Sequence, residues 1–364
     1  MDTALDLEPF EPGDTRDPYP GYARLRGQSP VCRVIRHGLT AWLLTRYDDV
    51  RQALIDPRLS TDPNHADPAV FAVPWIGGQH ALGLDRDMLR SNGATHARLR
   101  SLVGKAFTTR RVESVRPAIQ ARVDTLVDGF AARGEADLIE EFAFPLTCSV
   151  IMDLVGIPAS RRQEFDGWVR GAVEPRPHEY AGVPQAWESI WAFLADLVTD
   201  KEHDPGDDLT SELVAVRDGT DRLSPEELGG MLSLLLLAGY TTTLDLIGNG
   251  MLALLSHPQQ LAAVRADPAV LIALAAADRD PVRFRDPDRF DVNRRDAGGV
   301  AFGYGIHRCL GAPLARLEGE LAIGTLLRRL PDLALADDPA KLGWRRSPHL
   351  RGLHALPVRF AAAG

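Results

Sequence analysis

One run of this sequence, from Pro225 to about Ser256, limits the available folds more than any other feature. Ser224 stands as the N-cap, Pro225 takes the first helical position and Glu227 follows three residues after the cap, forming a capping box. His257-Pro258 ends the run. Some 31 residues at about 1.5 Å each span roughly 46 Å, enough to cross a whole domain. From Met231 to Ala238 the run is apolar on nearly every side, so it has no face to offer water and must be a central helix.

The rest of the chain supplies the cover such a helix needs. Helical periodicity is read at Tyr19 to Arg26, Asp48 to Ile55, Thr95 to Phe107, Arg111 to Arg133, Phe144 to Gly156, Ala159 to Ala172, Pro184 to Lys201 and Ala312 to Leu330. Strand-like stretches are fewer, at Val31 to Ile35 and Ala41 to Leu44. Residues Asp62 to Gly93, rich in Gly, Pro and Asp, read as a long loop. The expected fold is mainly α with small β-sheets. No Gly/Ser linker or repeat divides it, so residues 1–364 read as a single domain.

Composition removes several classes of function. With 45% hydrophobic and 25% charged residues the chain is ordinary globular protein. A net charge of −9 opposes generic nucleic-acid binding. No window approaches the roughly 20 uninterrupted apolar residues of a membrane helix, and Met1 to Pro20 has no signal-peptide core, so a cytoplasmic protein without a membrane partner is expected. The 41 basic residues include only three lysines, a bias that reads as genomic base composition. Three scattered cysteines, Cys32, Cys148 and Cys309, form neither a disulfide framework nor a CxxC zinc site. Cysteine chemistry must therefore come from one residue, and Cys32 and Cys148 read as inert buried thiols.

Cys309 is different. It lies in Phe302-Gly303-Tyr304-Gly305-Ile306-His307-Arg308-Cys309-Leu310-Gly311, immediately before an apolar-periodic helix. The partial positive charge of a helix start favours an anionic sulfur, and the glycines let backbone approach a large flat ligand. This is the pattern of a single-thiolate metal site.

Phe302 to Gly311 resembles the haem-binding signature of the cytochrome P-450 superfamily of haem-thiolate monooxygenases, in its soluble bacterial form, at every defining position. The resemblance makes Cys309 the axial ligand to the iron of haem b. It places Phe302 beside the thiolate, gives Gly303 and Gly311 to the haem-binding loop and brings His307 to a haem propionate. Ala238-Gly239-Tyr240-Thr241-Thr242-Thr243 resembles the family's oxygen-side helix, where a small residue and Gly239 open a distortion over the haem and Thr242 manages protons. Thr241 stands where the family has an acid and receives no general-acid role; Asp245, one turn away, is a weak substitute. A threonine run in a buried helix also back-bonds to carbonyls without any catalytic part. His96 and Arg100, four apart on one helix face, are an ordinary surface spacing taken alone; the resemblance makes them propionate contacts. Ala277 to Pro281, Pro287 to Phe290 and Leu350 to Leu353 extend the likeness over nearly the whole chain.

One family element is missing. No Glu-x-x-Arg pair occurs between Leu255 and Arg289, and the chain's sole example, Glu113 to Arg116, reads as a solvent-facing helix pair. The fold thus reads as cytochrome P-450-like but lacking one helix and adjacent strands near residue 270, on the order of 40 residues. Arg289 then loses its carboxylate partner and must find water or another acid.

The resemblance implies a monooxygenase that inserts one oxygen atom from O2 into a hydrophobic, natural-product-like small molecule of secondary metabolism. Pocket candidates are the loop at Trp75, Ile76 and Leu82, the Ala172 to Trp187 region and Leu234 to Thr242. Without a flavin or nicotinamide segment, electrons are expected from a ferredoxin-type donor, met by Arg308, Arg316, Arg110 and Arg111. Two alternatives stay open at this point: a haem-poor relative acting as binding partner or activator of another biosynthetic enzyme, and peroxide-driven oxidation.

Overall fold

The computed structural model describes residues 5–6, 17–36, 39–72, 86–173, 182–216, 220–266, 279–295, 298–345 and 350–362. Twelve α-helices are described: α1 (Tyr19–Gln28), α2 (Tyr47–Ala53), α3 (Gly93–Ala106), α4 (Thr109–Ser114), α5 (Arg116–Ala131), α6 (Phe144–Val155), α7 (Arg162–Val173), α8 (Val183–His203), α9 (Leu209–Ala215), α10 (Pro225–Leu255), α11 (Pro258–Ala266) and α12 (Ala312–Arg329). Two three-stranded sheets accompany them. In the first, β1 (Leu5–Asp6) runs parallel to β2 (Val31–Arg36), and β2 pairs antiparallel with β3 (Leu39–Leu44), from Val31 opposite Leu44 to Arg36 opposite Leu39. In the second, β6 (Pro357–Arg359) lies between β4 (Glu135–Asp137) and β5 (Ala334–Leu335).

The chain forms two compact units. One comprises Met1–Leu59, Pro117–Pro145 and Thr242–Gly364; the other comprises Ser60–Arg116 and Leu146–Thr241.

The expected capping box opens α10. The Ser224 hydroxyl accepts from the Glu227 amide at 3.2 Å, and the Ser224 amide donates to Glu227 Oε2 at 2.8 Å. Glu227 is used twice, since with Asp221 it also holds the Arg98 guanidinium of α3 at 2.7 and 2.8 Å. These contacts tie the start of α10 to α3 inside the second unit. Length and apolar composition alone would let α10 cross a membrane, yet most of that apolar stretch is buried within the protein, which makes it a core helix.

Small residues let its neighbours come close. In the first unit a Cβ at Gly250 would stand 3.0 Å from Ile323 Cδ1 of α12, and one at Gly319 of α12 would stand 3.3 Å from Leu246 Cδ2. Leu244, Ile247, Met251, Ala322 and Leu326 fill the same core with no measurable exposure or close to none. Each large side chain among them contributes about 1.5–3 kcal/mol by burial. In the second unit Phe165, Trp168 and Phe193 cluster where α7 meets α8, with ring centroids 5.2 to 6.4 Å apart.

Three departures from the expected elements have local causes. The helix read over Arg111 to Arg133 is two helices, because Pro117 has no N–H to continue the ladder and instead sits in the first turn of α5. Before α6, residues Ile139–Ala143 form a π-turn, closed by the Ala143 amide on Leu138 O at 2.8 Å. His257-Pro258 does stop α10, but Pro258 then opens α11. The segment 267–278, where the family element is missing, lies outside the described residues, as do Trp75, Ile76 and Leu82.

Removing the Ser224 cap by Ser224→Ala is expected to cost about 1 kcal/mol. A lowered urea midpoint with an unchanged denaturant slope checks this.

Candidate haem-thiolate site

The loop Phe302 to Gly311 folds on itself. The Cys309 amide donates to Phe302 O at 2.8 Å, the Gly303 amide to Val300 O at 2.8 Å, and residues Gly305–His307 form one 3₁₀ turn. Two positions need glycine. Gly303 has φ +73° and Gly305 has φ +74°, in the left-handed region. At Gly305 a Cβ would also press on Ile55 Cγ2 at 2.7 Å. Side chains brace the outside: the Arg316 guanidinium lies 4.7 Å from the Phe302 ring centroid, and Arg51 donates to the Tyr304 hydroxyl at 2.7 Å while covering its ring.

This loop brings Phe302, Gly303, His307, Cys309 and Gly311 together. Gly311 caps the 18-residue α12, and a Cβ there would lie 3.9 Å from Cys309 Sγ, so glycine leaves the sulfur uncovered. Cys309 is exposed, whereas Cys32 and Cys148 are buried. Burial pushes both of those thiols up, and Asp166, 3.2 Å from Cys148 Sγ, adds to the rise at Cys148. Among the described residues no group of three or more His, Cys, Asp or Glu is placed to hold a metal ion. A group bound through one soft ligand is what this donor set fits, and an uncovered thiol at the start of a helix meets the demand of a haem iron.

The remaining expected site residues lie on two helices. His96, buried, and Arg100, half-buried, share one face of α3, while Arg98 points elsewhere into its ion pairs. Gly239 and Thr242 are on α10. The expected distortion there is not seen: α10 runs as unbroken α-helix through Ala238 to Thr242. Gly239 serves close packing instead, since a Cβ would stand 2.8 Å from Ile151 Cδ1 of α6. Ala238 and Thr242, four apart, are exposed on a helix otherwise largely buried, and Thr241 is buried. His96, Arg100 and Gly239 belong to the second unit; Thr242 and the cysteine loop belong to the first.

Asp245 proves to be committed elsewhere. Its Oδ1 is held by the Arg345 guanidinium, and both side chains are about nine-tenths buried. Asn249, one turn on, donates to Arg351 O at 2.6 Å. Gly352 sits so close that a Cβ would overlap both the Asp245 carboxylate and the Arg345 guanidinium. Burial pushes the Asp245 carboxyl up to about 8 and the Arg345 guanidinium down to about 10. Asp245 therefore fastens the Leu350 to Leu353 turn to α10, and sequence reasoning missed its partner because the two residues lie 100 apart.

Other expectations are refined. Trp187, Leu236, Leu237 and Tyr240 line a cavity of about 20 Å³ with Ile151 and Phe165 of the second unit. At 3.6 residues per turn these α10 positions face roughly opposite Thr242, so this cavity is not the space Thr242 faces. Arg111 is withdrawn from any docking patch by Glu212 and Asp207. Glu113 and Arg116 pair at 3.0 Å at the surface, as read. Arg289 is exposed and makes no ion pair among the described residues, so water solves its loss of a carboxylate.

Comparison with known proteins decides what the cysteine loop means. A family model described as cytochrome P-450 matches residues 262–333. Cytochrome P-450 107B1 of Saccharopolyspora erythraea is 43% identical, covering 98% of both chains. The chain belongs to the cytochrome P-450 family. The 6-deoxyerythronolide B hydroxylase of the same organism is 39% identical over 94% of this chain and 96% of its own. The solved structure of the Bacillus subtilis bacillaene polyketide synthase cytochrome P-450 PksS superposes with a TM-score of 0.89, at 32% identity, over 97% of this chain and 99% of that one. Family membership makes the protein an oxidoreductase of the monooxygenase type with haem as cofactor. The alignment to cytochrome P-450 107B1 runs over 403 residues, more than the 364 of this chain, so that relative carries residues with no counterpart here.

A carboxyl raised by burial holds its proton more tightly in the folded state. The stability Asp245 contributes is therefore present below about pH 4, its unfolded range, and is lost as pH rises through about 8. Replacing it by Asp245→Asn keeps a hydrogen-bond acceptor toward Arg345 and should flatten this part of the stability profile, measured by thermal unfolding from pH 5 to 9.

Proposed function

We propose that residues 1–364 act as one monooxygenase domain that inserts an oxygen atom from O2 into a hydrophobic, natural-product-like molecule, with electrons from a ferredoxin-type donor, in the cytoplasm. The observation that carries this reading is the uncovered Cys309 thiol, held between two glycine turns and a helix start in a chain of this family. Haem b, bound through its iron to the Cys309 sulfur, supplies the activation of O2. Phe302, its ring covered by Arg316 and its carbonyl accepting from the Cys309 amide, would stand beside the thiolate. Gly303 and Gly311 give the backbone room to pass close to a flat ring. His96, Arg100 and His307 offer donors to the two propionates, Arg100 with a guanidinium suited to a carboxylate.

On the oxygen side, Thr242 offers a hydroxyl on an open face of α10, where it can hold and pass a proton at Oγ1; Gly239 keeps that helix tight against α6. Thr241 carries no acid. Natural-product chemistry is supported by relatives named for polyketides, the 6-deoxyerythronolide B hydroxylase and PksS. Arg308, exposed beside the cysteine loop, and Arg316, half-buried, supply positive charge for an acidic donor protein.

A second reading, a haem-poor binding partner of another enzyme, is favoured by Arg289, whose exposed guanidinium lacks the carboxylate the family supplies. The reduced carbon-monoxide difference spectrum separates the two. A Soret band at the thiolate-ligated position, lost in Cys309→Ala, supports the monooxygenase; absence of haem absorbance after expression with haem precursor overturns it.

With haem bound, Thr242→Ala is expected to uncouple electron use from product formation by about tenfold, an effect of roughly 1.4 kcal/mol. Reductant consumed per product formed checks this, and unchanged coupling would make Thr242 structural.

A further inference from the structure

Within the first unit a pocket of about 290 Å³ opens beside α1, the end of β3 and the start of α2, and Val300, just before the cysteine loop, closes one side of it. Its size reaches the lower end of small-molecule sites. Its lining is unusual for a chain of net charge −9: Tyr19, Tyr22, Arg26, Arg46 and Arg279 converge, with Asp280 as the single carboxylate among the lining residues. Asp280 forms no ion pair with them among the described residues. It is buried, and both its oxygens are taken, Oδ2 by the Tyr47 amide at 2.8 Å and Oδ1 by the Val282 amide at 3.0 Å.

The cations are held in place yet keep donors to give. Arg279 lies 3.5 Å from the Tyr19 ring centroid and is steadied by Asp288 at 3.1 Å. Arg26 spends its Nε on Thr45 O at 3.0 Å, leaving its two terminal nitrogens without a hydrogen bond or ion pair among the described residues. Arg46, at the N-cap of α2, makes no side-chain hydrogen bond or ion pair among them. The floor is equally fixed, because the Tyr47 hydroxyl donates to Gly298 O at 2.7 Å.

We propose that this pocket binds a planar aromatic anion, whose ring lies against the tyrosines and whose carboxylate or sulfonate is paired by Arg46 and Arg26. Guanidinium forks match a carboxylate in two hydrogen bonds, and a flat apolar body suits phenol rings and aliphatic side chains; the lining supplies the forks, the tyrosines, and Leu43, Leu44, Val50 and Val300.

Calorimetric titration of the full chain with 2-naphthoate, and with uncharged 2-naphthamide, tests it. One naphthoate site is expected, at least tenfold tighter than the amide. Arg46→Glu, at an exposed position, should weaken naphthoate at least tenfold while leaving the amide unchanged, and Arg46→Lys should recover part of the loss. Arg26→Gln should weaken naphthoate by a similar factor and serves if Arg46→Glu lowers the melting temperature. Equal binding of acid and amide, or naphthoate affinity unmoved by the arginine variants, overturns the proposal and assigns any binding to an apolar chamber elsewhere.

Discussion

The burial of α10 is the constraint that organises the core of each unit. A helix of 31 residues that is apolar on nearly every side from Met231 to Leu237 cannot rest on the surface, and its neighbours within each unit pack closely against it. Glycines set how close that cover comes: Gly239 admits Ile151, Gly248 admits Ile139 and Gly250 admits Ile323. Only part of the polar surface the helix buries is paired, since Thr241 Oγ1, Asp245 Oδ2 and Asn249 Oδ1 have no hydrogen-bond partner among the described residues. Asp245 takes Arg345, Asn249 takes a backbone carbonyl, and the Ser224 cap takes Glu227. The exposed positions Ala238 and Thr242 stand out against this pattern, and that contrast is what makes the oxygen-side reading of Thr242 physical rather than a matter of motif alone.

What was legible in the sequence is what local chemistry decides. The capping box at Ser224 is written within four residues, and the cysteine loop within ten, with glycines where φ is positive. Pairings over long separations were not legible. The sheet that joins Glu135–Asp137 to Pro357–Arg359 has strands too short for a period-2 pattern, and its register is set by partners more than 200 residues away. The Asp245–Arg345 pair was hidden for the same reason: nothing near Asp245 marks Arg345, and only the crowding at Gly352 explains why a glycine is required there. The break between α4 and α5 was readable from Pro117 but was outweighed by the helical period on either side.

The residues missing near 270 leave a different mark on each part of the first unit. Arg289 would have been costly if it had stayed buried without its carboxylate, by several kcal/mol. It lies exposed, so the loss is met by solvent rather than by a substitute acid. Asp280 and Arg279, which follow the break, remain anchored through Tyr47, Asp288 and Tyr19, and the Tyr47 and Phe284 rings pack edge to face at 5.5 Å.

The described contacts of the cysteine loop involve no residue between Leu255 and Arg289. The contacts described for it come from within the loop, from Val300, from α12 and from the segment Arg51 to Ile55: the Cys309 and Gly303 backbone bonds, the Arg316 cover on Phe302, the Arg51 contact with Tyr304, and Ile55 packed where a Gly305 side chain would be. The two left-handed glycines and the backbone bonds around Cys309 are thus kept in a chain that has no Glu-x-x-Arg pair between Leu255 and Arg289. Their retention weighs against the haem-poor alternative, since a mere binding partner has no need of a loop that holds an exposed thiol between left-handed glycines at a helix start.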